Sequence, residues 1–327
     1  MRTIPLEAIR DAADHMYEAA VRTPLVRLDL PFAAPDGPEV FLKLESLQPI
    51  GSFKLRGAWN AIRRLPPEVL KDGVWTVSAG NATQGVAFAA RRAGVSCSVM
   101  VMDTAPATKI AAIDALGAAI VRVTYDEAWR TVESHRSDRM RGHFVHPFDD
   151  DDFIAGNATA GLEILEDLPD VDAVVAPLGG GGLLAGIGSV MRALQPAVRV
   201  MAAEPETASP LATSLARGEA SYFDGWTASF VDGAGGKSVL PSMWPLLRTL
   251  VDDSLVMPLA DVAAAMRYAA ERVHVIAEGA AGCAIAAARS GRAGSGKVVA
   301  VVSGGNIDLA RFAELVGAVP DDRQYVS

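Results

Sequence analysis

A lysine between two glycines is the first candidate for chemistry in this sequence. It lies in the segment Gly51-Ser52-Phe53-Lys54-Leu55-Arg56-Gly57-Ala58. Partial burial lowers the pKa of a lysine, and a neutral amine can form a Schiff base with a carbonyl compound. The segment by itself also fits a surface lysine at the start of a helix, which is the commoner situation. Lys54 therefore needs support from other residues.

A second candidate is the turn Ser78-Ala79-Gly80-Asn81-Ala82-Thr83-Gln84-Gly85, which stands between an apolar strand and an alanine-rich helix. The first N–H groups of a helix have no partner within the helix, and they attract a carboxylate or a phosphate. Asn81 could direct its amide at a ligand oxygen, or it could simply be the N-cap of the helix. The turn alone does not choose between these two roles.

Four consecutive glycines, Gly179 to Gly182, follow an apolar strand and precede a helix. Their N–H groups and the helix dipole form a favourable site for an anion such as a phosphate. Gly180, Gly182 and Ala185 also fit the G-x-G-x-x-A pattern of dinucleotide-binding domains, with Glu204 about 20 residues further on as a ribose-binding acid. An NAD-dependent oxidoreductase is therefore an alternative that this loop leaves open.

The segment Val301-Val302-Ser303-Gly304-Gly305-Asn306 ends the last strong strand. A serine at the carboxyl end of a strand can form a hydrogen bond in a central cleft, although an isolated one is more often a turn residue. The five histidines include no pair at metal-ligand spacing, and no G-x-S-x-G elbow accompanies them. Zinc and serine-hydrolase chemistry therefore have little support.

An alternation of short apolar strands and single helices must position these candidates. Such an alternation predicts parallel sheets with helices on both faces and ligands at the carboxyl ends of the strands. Strands are predicted at 74–78, 97–102, 119–123, 173–178, 198–203 and 299–303, and helices at 83–93, 107–116, 153–168, 183–194 and 211–216. The segment 218–241 is predicted to be a long irregular connection.

Length and charge restrict the class of protein. A chain of 327 residues exceeds what one core usually fills, so two α/β lobes or one large α/β unit are expected, with breaks near 65–67 and 146–150. The formal net charge of −9 argues against a nucleic-acid or anionic-membrane partner. The N-terminus has no signal-peptide pattern and no apolar run is long enough to span a membrane, which predicts a cytoplasmic protein. Cys97 and Cys283 are interpreted as buried free thiols.

The order of these features resembles the fold-type II pyridoxal-phosphate enzymes, the family of threonine and serine dehydratases and serine racemase. The resemblance covers nearly the whole chain. It rests on the segments 23–28, 43–45, 52–57, 146–150, 154–156, 179–182, 278–282 and 303–306. It implies an α/β fold of two open parallel-sheet lobes with helices on both faces, similar to the tryptophan synthase β-subunit. The large cofactor-binding domain would comprise residues 1–68 and 149–327, and the small substrate-binding domain residues 69–148.

The resemblance also implies roles for single residues. Lys54 would carry pyridoxal 5′-phosphate as a Schiff base and remove the α-proton of the substrate. Asn81 would contact the 3′-oxygen, Phe53 the ring, and Ser303 the pyridine nitrogen. The other implied cofactor-binding residues are Gly179, Gly180, Gly181, Gly182, Leu183 and Glu278. The substrate carboxylate would be bound by Ser78, Ala79, Gly80, Asn81 and Ala82.

The implied activity is β-elimination from a small β-hydroxy amino acid such as threonine or serine, which yields a 2-oxo acid and ammonia. A neutral hydroxyl at the ring nitrogen makes the ring a weaker electron sink, and this favours loss of a β-leaving group. Ala79 stands where racemases of the family place a serine, which disfavours racemisation. Ala82 replaces the usual histidine and indicates a larger or differently shaped substrate. β-Replacement and a cofactor-binding member without activity remain alternatives.

Two further expectations concern metal and assembly. Some members bind a divalent cation through a glutamate, a carbonyl and an acid. Glu204 and Ala208 match the first two positions, but Pro210 stands at the third, so no metal is predicted. A homodimer is expected from the resemblance only.

Overall fold

The protein is described by a computed structural model, which covers residues 2–28, 37–78, 80–105 and 107–319. Ala79, one of the predicted substrate-binding residues, lies outside the described residues. Strands and helices alternate along the described chain, as the sequence predicts. The strands are β1 Leu25–Arg27, β2 Glu39–Lys43, β3 Val74–Val77, β4 Cys97–Met102, β5 Ala119–Val123, β6 His143–Phe144, β7 Ala173–Pro177, β8 Arg199–Pro205, β9 Asp253–Met257 and β10 Lys297–Val301.

The helices lie mostly between successive strands. They are α1 Leu6–Met16, α2 Lys54–Arg63, α3 Pro67–Leu70, α4 Asn81–Ala93, α5 Ala107–Ala115, α6 Tyr125–Ser134, α7 Asp151–Asp167, α8 Gly182–Leu194, α9 Pro210–Arg217, α10 Trp244–Leu250, α11 Leu259–Val273, α12 Gly279–Arg289 and α13 Leu309–Gly317. Within the described ranges, none of these helices combines the length and the apolar character that crossing a membrane requires.

The larger sheet has the strand order β1-β2-β10-β7-β8-β9. Its strands pair in parallel, except for β1, which is antiparallel to β2 at the edge. Every residue of the central strand β7 is buried, and separate hydrophobic clusters pack on the two faces of the sheet. Burial on both faces explains why β7 is a continuous apolar run without alternation. We call this sheet and its helices the large lobe.

The second sheet has the order β5-β4-β3-β6, and all its pairs are parallel. Helix α4 packs against β3 and β4 on one side, and α6 contacts the same two strands. We call this sheet with α4, α5 and α6 the small lobe. The two sheets confirm the predicted class, an α/β fold with two parallel-sheet lobes.

The first turn of α2 is anchored by a buried network of charges. The Arg56 guanidinium donates to both carboxylate oxygens of Glu45, at 2.7 and 2.8 Å, and to both of Glu163, at 2.7 and 2.9 Å. Lys43 lies 2.5 Å from Glu163, and the Thr23 hydroxyl donates to Glu45 at 2.6 Å. Charged groups are tolerated in a core only when they are paired and hydrogen-bonded in this way. The network therefore fixes the helix that begins at Lys54.

Candidate active site

A cavity of about 800 Å³ lies between the lobes, at the carboxyl ends of β3, β4 and β7. This is the position that parallel sheets favour for ligands. The cavity brings together every described residue that the sequence analysis proposed for the site. These residues are Phe53, Lys54, Ser78, Gly80, Asn81, Ala82, Gly179, Gly180, Gly181, Gly182, Leu183, Glu278 and Ser303.

Lys54 is the first residue of α2, and its side chain enters the cavity. Its Nζ donates a hydrogen bond to the Pro147 carbonyl oxygen at 2.5 Å and lies 5.2 Å from the centroid of the Phe53 ring. Burial lowers the pKa of the Lys54 amine to about 7. Because Lys54 lines the cavity and its Nζ contacts the Pro147 carbonyl, the surface interpretation is wrong. The amine is available in its neutral, nucleophilic form near neutral pH.

The glycine loop approaches its neighbours too closely for side chains. A Cβ on Gly180 would collide with the Phe148 ring, and one on Gly182 would stand 2.9 Å from the Phe148 carbonyl oxygen. Gly181 has a φ of +93°, in the region that favours glycine. Among the described residues, the N–H groups from Gly179 to Leu183 have no backbone acceptor. They therefore remain free to bind an anion at the start of α8.

Asn81 belongs to a chain of polar side chains across the cavity floor. Its Nδ2 donates to Glu278 at 2.7 Å, and its Oδ1 accepts from Asn306 at 2.8 Å. Asn81 is the first residue of α4, and the residue before the helix is Gly80, so the N-cap interpretation is wrong. Burial raises the pKa of the Glu278 carboxyl to about 7. The two hydrogen bonds of Asn81 fix the orientation of its side chain, and the bond from Asn81 also fixes the Glu278 carboxyl.

Ser303 lies two residues beyond the end of β10 and is buried. Its carbonyl oxygen accepts a hydrogen bond from the Phe53 N–H at 3.0 Å, which ties this turn to the start of α2. Within the described ranges, no group forms a hydrogen bond with its hydroxyl. A hydroxyl with a free donor and acceptor at the cavity wall suits a ligand nitrogen or oxygen.

The turn before α4 is shaped by Ser78. The Ser78 hydroxyl accepts from the Gly80 N–H at 3.1 Å, and its carbonyl oxygen accepts from the Thr83 hydroxyl at 2.5 Å. Asn81 and Ala82 line the cavity, and the N–H groups of Asn81, Ala82 and Thr83 have no acceptor in the described part of the chain. A carboxylate is the natural ligand for such a turn.

Glu204 does not line the cavity, although a ribose-binding acid would have to do so. Its carboxylate oxygens accept from the N–H groups of Leu211 and Ala212, both at 2.8 Å, and from the Ser254 hydroxyl at 2.5 Å. Burial raises the pKa of Glu204 to about 6. Glu204 is therefore engaged at the N-terminus of α9, and the dinucleotide-binding interpretation loses its acid.

The structure brings together three possible ligands that spacing did not reveal. Nitrogen or oxygen atoms of His135, His146 and Asp149 lie within 4.8 Å of one another. However, the His146 Nδ1 accepts the Asp149 N–H at 2.7 Å, and its Nε2 lies 3.2 Å from the Val132 carbonyl oxygen. Both ring nitrogens are thus engaged with backbone, and the group shapes the turn that presents Pro147 to Lys54.

Other cavity residues had no assigned role in the sequence analysis. Pro147 was seen only as part of a lobe boundary, and Asn306 only as part of a motif. Lys109 of the small lobe forms an ion pair with Asp232 of the large lobe across the cavity. Lys237 was interpreted as an ordinary loop residue, although it follows two glycines in a long connection, which was the available signal for function.

The sequence matches the family described as pyridoxal-phosphate dependent enzyme over residues 17–304. The chain belongs to this family. It is 38% identical over 316 residues to the L-threonine ammonia-lyase of Thermotoga maritima, which covers 96% of this chain and 78% of the relative. It is 37% identical over 282 residues to human serine racemase, which covers 84% of this chain and 83% of the relative.

Solved structures agree with this assignment. The maize serine racemase structure superimposes with a TM-score of 0.86 and 30% identity over 96% of this chain and 97% of that one. Threonine deaminase isoform 2 of Solanum lycopersicum gives a TM-score of 0.85 and 30% identity over 95% and 92% of the two chains.

The residues of the cavity fit pyridoxal 5′-phosphate, on which this family depends. The group needs an amine for its aldehyde, donors for its phosphate and a partner for its ring nitrogen. Lys54 offers an amine of lowered pKa, and the glycine loop offers N–H groups without acceptors. The Ser303 hydroxyl is buried and available.

Proposed function

We propose that this chain catalyses the dehydration and deamination of a small β-hydroxy amino acid to a 2-oxo acid and ammonia, with pyridoxal 5′-phosphate as cofactor. The observation that carries this proposal is the Lys54 amine, which has a pKa near 7 in a cavity that also contains the glycine loop and Ser303. Relatives named L-threonine ammonia-lyase support the same activity.

In this proposal the cofactor would be held mostly by residues of the large lobe, with Asn81 contributed by the small lobe. Lys54 holds its aldehyde end, and the N–H groups of Gly179 to Gly182 and of Leu183 hold its phosphate. Phe53 would pack on the ring, while Asn81 and Ser303 would supply hydrogen bonds to it. The bound cofactor supplies an electron-withdrawing ring that acidifies the α-proton of the amino acid.

Lys54 performs the proton transfer. Its lowered pKa means that the released amine is largely neutral at physiological pH, so it can accept a proton from the α-carbon. The Pro147 carbonyl accepts one N–H of this amine and so restricts where its lone pair points. Because the lone pair is oriented, little reorganisation is needed before the proton moves.

The turn from Ser78 to Ala82 binds the substrate carboxylate through the first N–H groups of α4. The helix dipole adds attraction for that negative charge. Ser303 would offer a neutral hydroxyl to the ring nitrogen of the bound cofactor, and a hydroxyl would not hold that nitrogen in its protonated state. Such a partner favours loss of the β-hydroxyl over chemistry that stores charge in the ring.

The proposal also includes the domain boundaries, the cellular location and the assembly of the chain. The large domain comprises residues 1–68 and 149–327, and the small domain residues 69–148. The chain acts in the cytoplasm as a homodimer. These assignments are supported by the family resemblance and by the composition.

The test is a screen of the holoenzyme with serine, threonine and larger β-hydroxy amino acids, in which 2-oxo acid and ammonia are measured together. We expect equal amounts of both products from at least one substrate. Release of neither product, with incorporation of an added thiol into the amino acid, would replace the proposal with β-replacement. Conversion of an L- to a D-amino acid without ammonia would replace it with racemisation.

A further inference from the structure

Cations other than Lys54 line the cavity, and their partners differ. Lys109 forms an ion pair with Asp232, and Arg311 forms one with Glu314 at 2.6 Å. For Lys237, the described part of the chain offers neither a carboxylate within ion-pair distance nor a hydrogen-bond acceptor for its Nζ. Lys237 is thus a cavity cation that no carboxylate of the described residues neutralises.

Two aromatic rings hold the Lys237 ammonium in place. Its Nζ lies 4.3 Å from the centroid of the Trp226 ring and 4.8 Å from that of Tyr125. The Trp226 indole N–H donates to the Gly235 carbonyl oxygen at 2.9 Å, which fixes that ring. Aromatic faces attract a cation, but they offer no oxygen to its three N–H donors. The ammonium is therefore oriented while its hydrogen-bonding capacity stays open.

Lys237 follows a glycine that lies next to the glycine loop in space. A Cβ on the preceding residue, Gly236, would stand 3.9 Å from the Gly179 carbonyl oxygen. The three carboxylates among the described cavity residues have other partners: Asp232 pairs with Lys109, Asp308 accepts from the N–H groups that begin α13, and Glu278 accepts from Asn81. A negative group that enters the cavity therefore meets an unneutralised lysine.

We propose that Lys237 binds a second carboxylate, carried on the β-carbon of the substrate, so that the substrate class is the 3-hydroxy dicarboxylic amino acids, with 3-hydroxyaspartate as the smallest member. This proposal rests on the proposed elimination activity and names its substrate. The turn before α4 takes the α-carboxylate, and Lys237 takes the other. The small Ala82 side chain, where the family usually has histidine, leaves space near the first of these sites.

The reaction balances without any further reactant. The Cα–H and Cβ–O bonds break, and the proton and hydroxide leave as water. The resulting enamine isomerises to an imine, and one water hydrolyses it to ammonia and a 2-oxo dicarboxylate. The water that is lost and the water that is consumed cancel, so one substrate gives one 2-oxo dicarboxylate and one ammonia.

The first test measures binding to the holoenzyme by calorimetry, with succinate and butyrate as unreactive probes of equal carbon number. We expect succinate to bind at least about 10-fold more tightly than butyrate, because a charge-assisted hydrogen bond is gained. Lys237→Met should abolish this preference, and Lys237→Arg should keep it. Arg311→Gln, which removes a charge that is already paired at the same cavity, should leave the preference intact. Equal binding of the two probes by the unaltered holoenzyme would overturn the proposal.

The second test compares kcat/KM for 3-hydroxyaspartate and threonine in the same variants. Lys237→Met should reduce kcat/KM for 3-hydroxyaspartate about 10- to 100-fold and change that for threonine less than about 3-fold. An equal loss for both substrates would mean that Lys237 only ties the lobes together and would contradict the proposal. If neither substrate yields a 2-oxo acid but succinate still shows the Lys237-dependent preference, the elimination activity fails while the anion site stands.

Discussion

Two cations lie two residues apart on the first turn of α2: Arg56 is fully buried, whereas Lys54 lines the cavity. Arg56 donates to four carboxylate oxygens of Glu45 and Glu163. Lys54 has one neutral partner, the Pro147 carbonyl oxygen. The carboxylates raise the pKa of Arg56 against the effect of burial, whereas burial alone lowers that of Lys54 to about 7.

This comparison shows how one helix turn holds both a structural charge and a reactive amine. A compensated cation stays charged and fixes the backbone, while an uncompensated one releases its proton. The position of the reactive amine is therefore fixed by its charged neighbour, and its chemistry by the lack of a charged partner. Substitution of Lys54 should therefore reduce activity, whereas substitution of Arg56 should reduce the free energy of unfolding.

The largest effect is expected from Lys54→Ala. Loss of the amine removes both the covalent anchor for the cofactor and the proposed base, so 2-oxo acid formation should fall by about 10³-fold or more. Steady-state assays with the best substrate measure this. Lys71→Ala, at an exposed lysine, is the matched control and should retain full activity. A Lys54→Ala enzyme with a tenth of the original rate would contradict the assignment.

Arg56→Met should reduce the free energy of unfolding by about 3–5 kcal/mol, because Glu45 would be left buried without a counter-charge and Glu163 would keep only Lys43. Urea denaturation of both proteins gives this value. Arg139→Met removes an exposed arginine that pairs with Glu127 at 3.1 Å and should cost less than about 1 kcal/mol. Similar losses for the two variants would show that the buried network does not anchor α2.

Gly180→Ala tests the loop that faces Lys54. Its Cβ would collide with the Phe148 ring, so we expect a loss of about 1–3 kcal/mol in stability and weaker binding of pyridoxal 5′-phosphate. Thermal unfolding and a cofactor titration measure these two effects. Gly317→Ala, where a Cβ would meet no atom within 4 Å, should be neutral or slightly stabilising. Unchanged cofactor affinity in Gly180→Ala would argue against the loop as the phosphate site.

The last effect, which is spread over several pH units, is a pH dependence of stability in the cofactor-free protein. Lys54 loses its proton near pH 7 when folded, but its ordinary pKa is 10.5. Between these values the unfolded chain binds more protons, so Lys54 contributes stability that rises with pH, by at most about 1.4 kcal/mol per pH unit. Lys54→Met should flatten this rise in urea titrations from pH 7 to 10.

The Glu278 carboxyl makes stability fall with rising pH, and it does so at lower pH than Lys54. Its folded pKa of about 7 exceeds the ordinary 4.5, so its contribution to stability is lost as pH rises from 4.5 to 7. The two windows do not overlap, and Glu278→Gln should change only the lower one. If Lys54→Met altered the profile below pH 6 instead, the lowered pKa of Lys54 would be wrong.

Much of the fold was predictable because burial leaves a simple pattern. The predicted strands at 97–102 and 119–123 match β4 and β5, since continuous apolar runs between helices identify parallel strands. Strand β9 was missed because it starts with Asp253 and Ser254. The last strand was placed two residues too late, since Val302 is as apolar as the strand before it.

The site was predictable as a set of motifs but not as a set of contacts. Nothing local in the sequence separates Lys54 from a surface lysine, because its lowered pKa comes from the enclosure formed by residues distant in the chain, such as Pro147 and Phe153. Lys237 was set aside as a loop residue, because its partners Tyr125 and Trp226 come from other segments. The predicted role of Ala79 lies on a residue that the structure does not describe.

The most direct measurement of the central claim is to reduce the holoenzyme with borohydride, digest it and locate the cofactor by peptide mass spectrometry. Reduction fixes pyridoxal phosphate on the lysine that carries it. We predict that the label is on the peptide that contains Lys54 and that it is absent in Lys54→Ala. A label on another lysine, such as Lys109 or Lys237, would contradict the account.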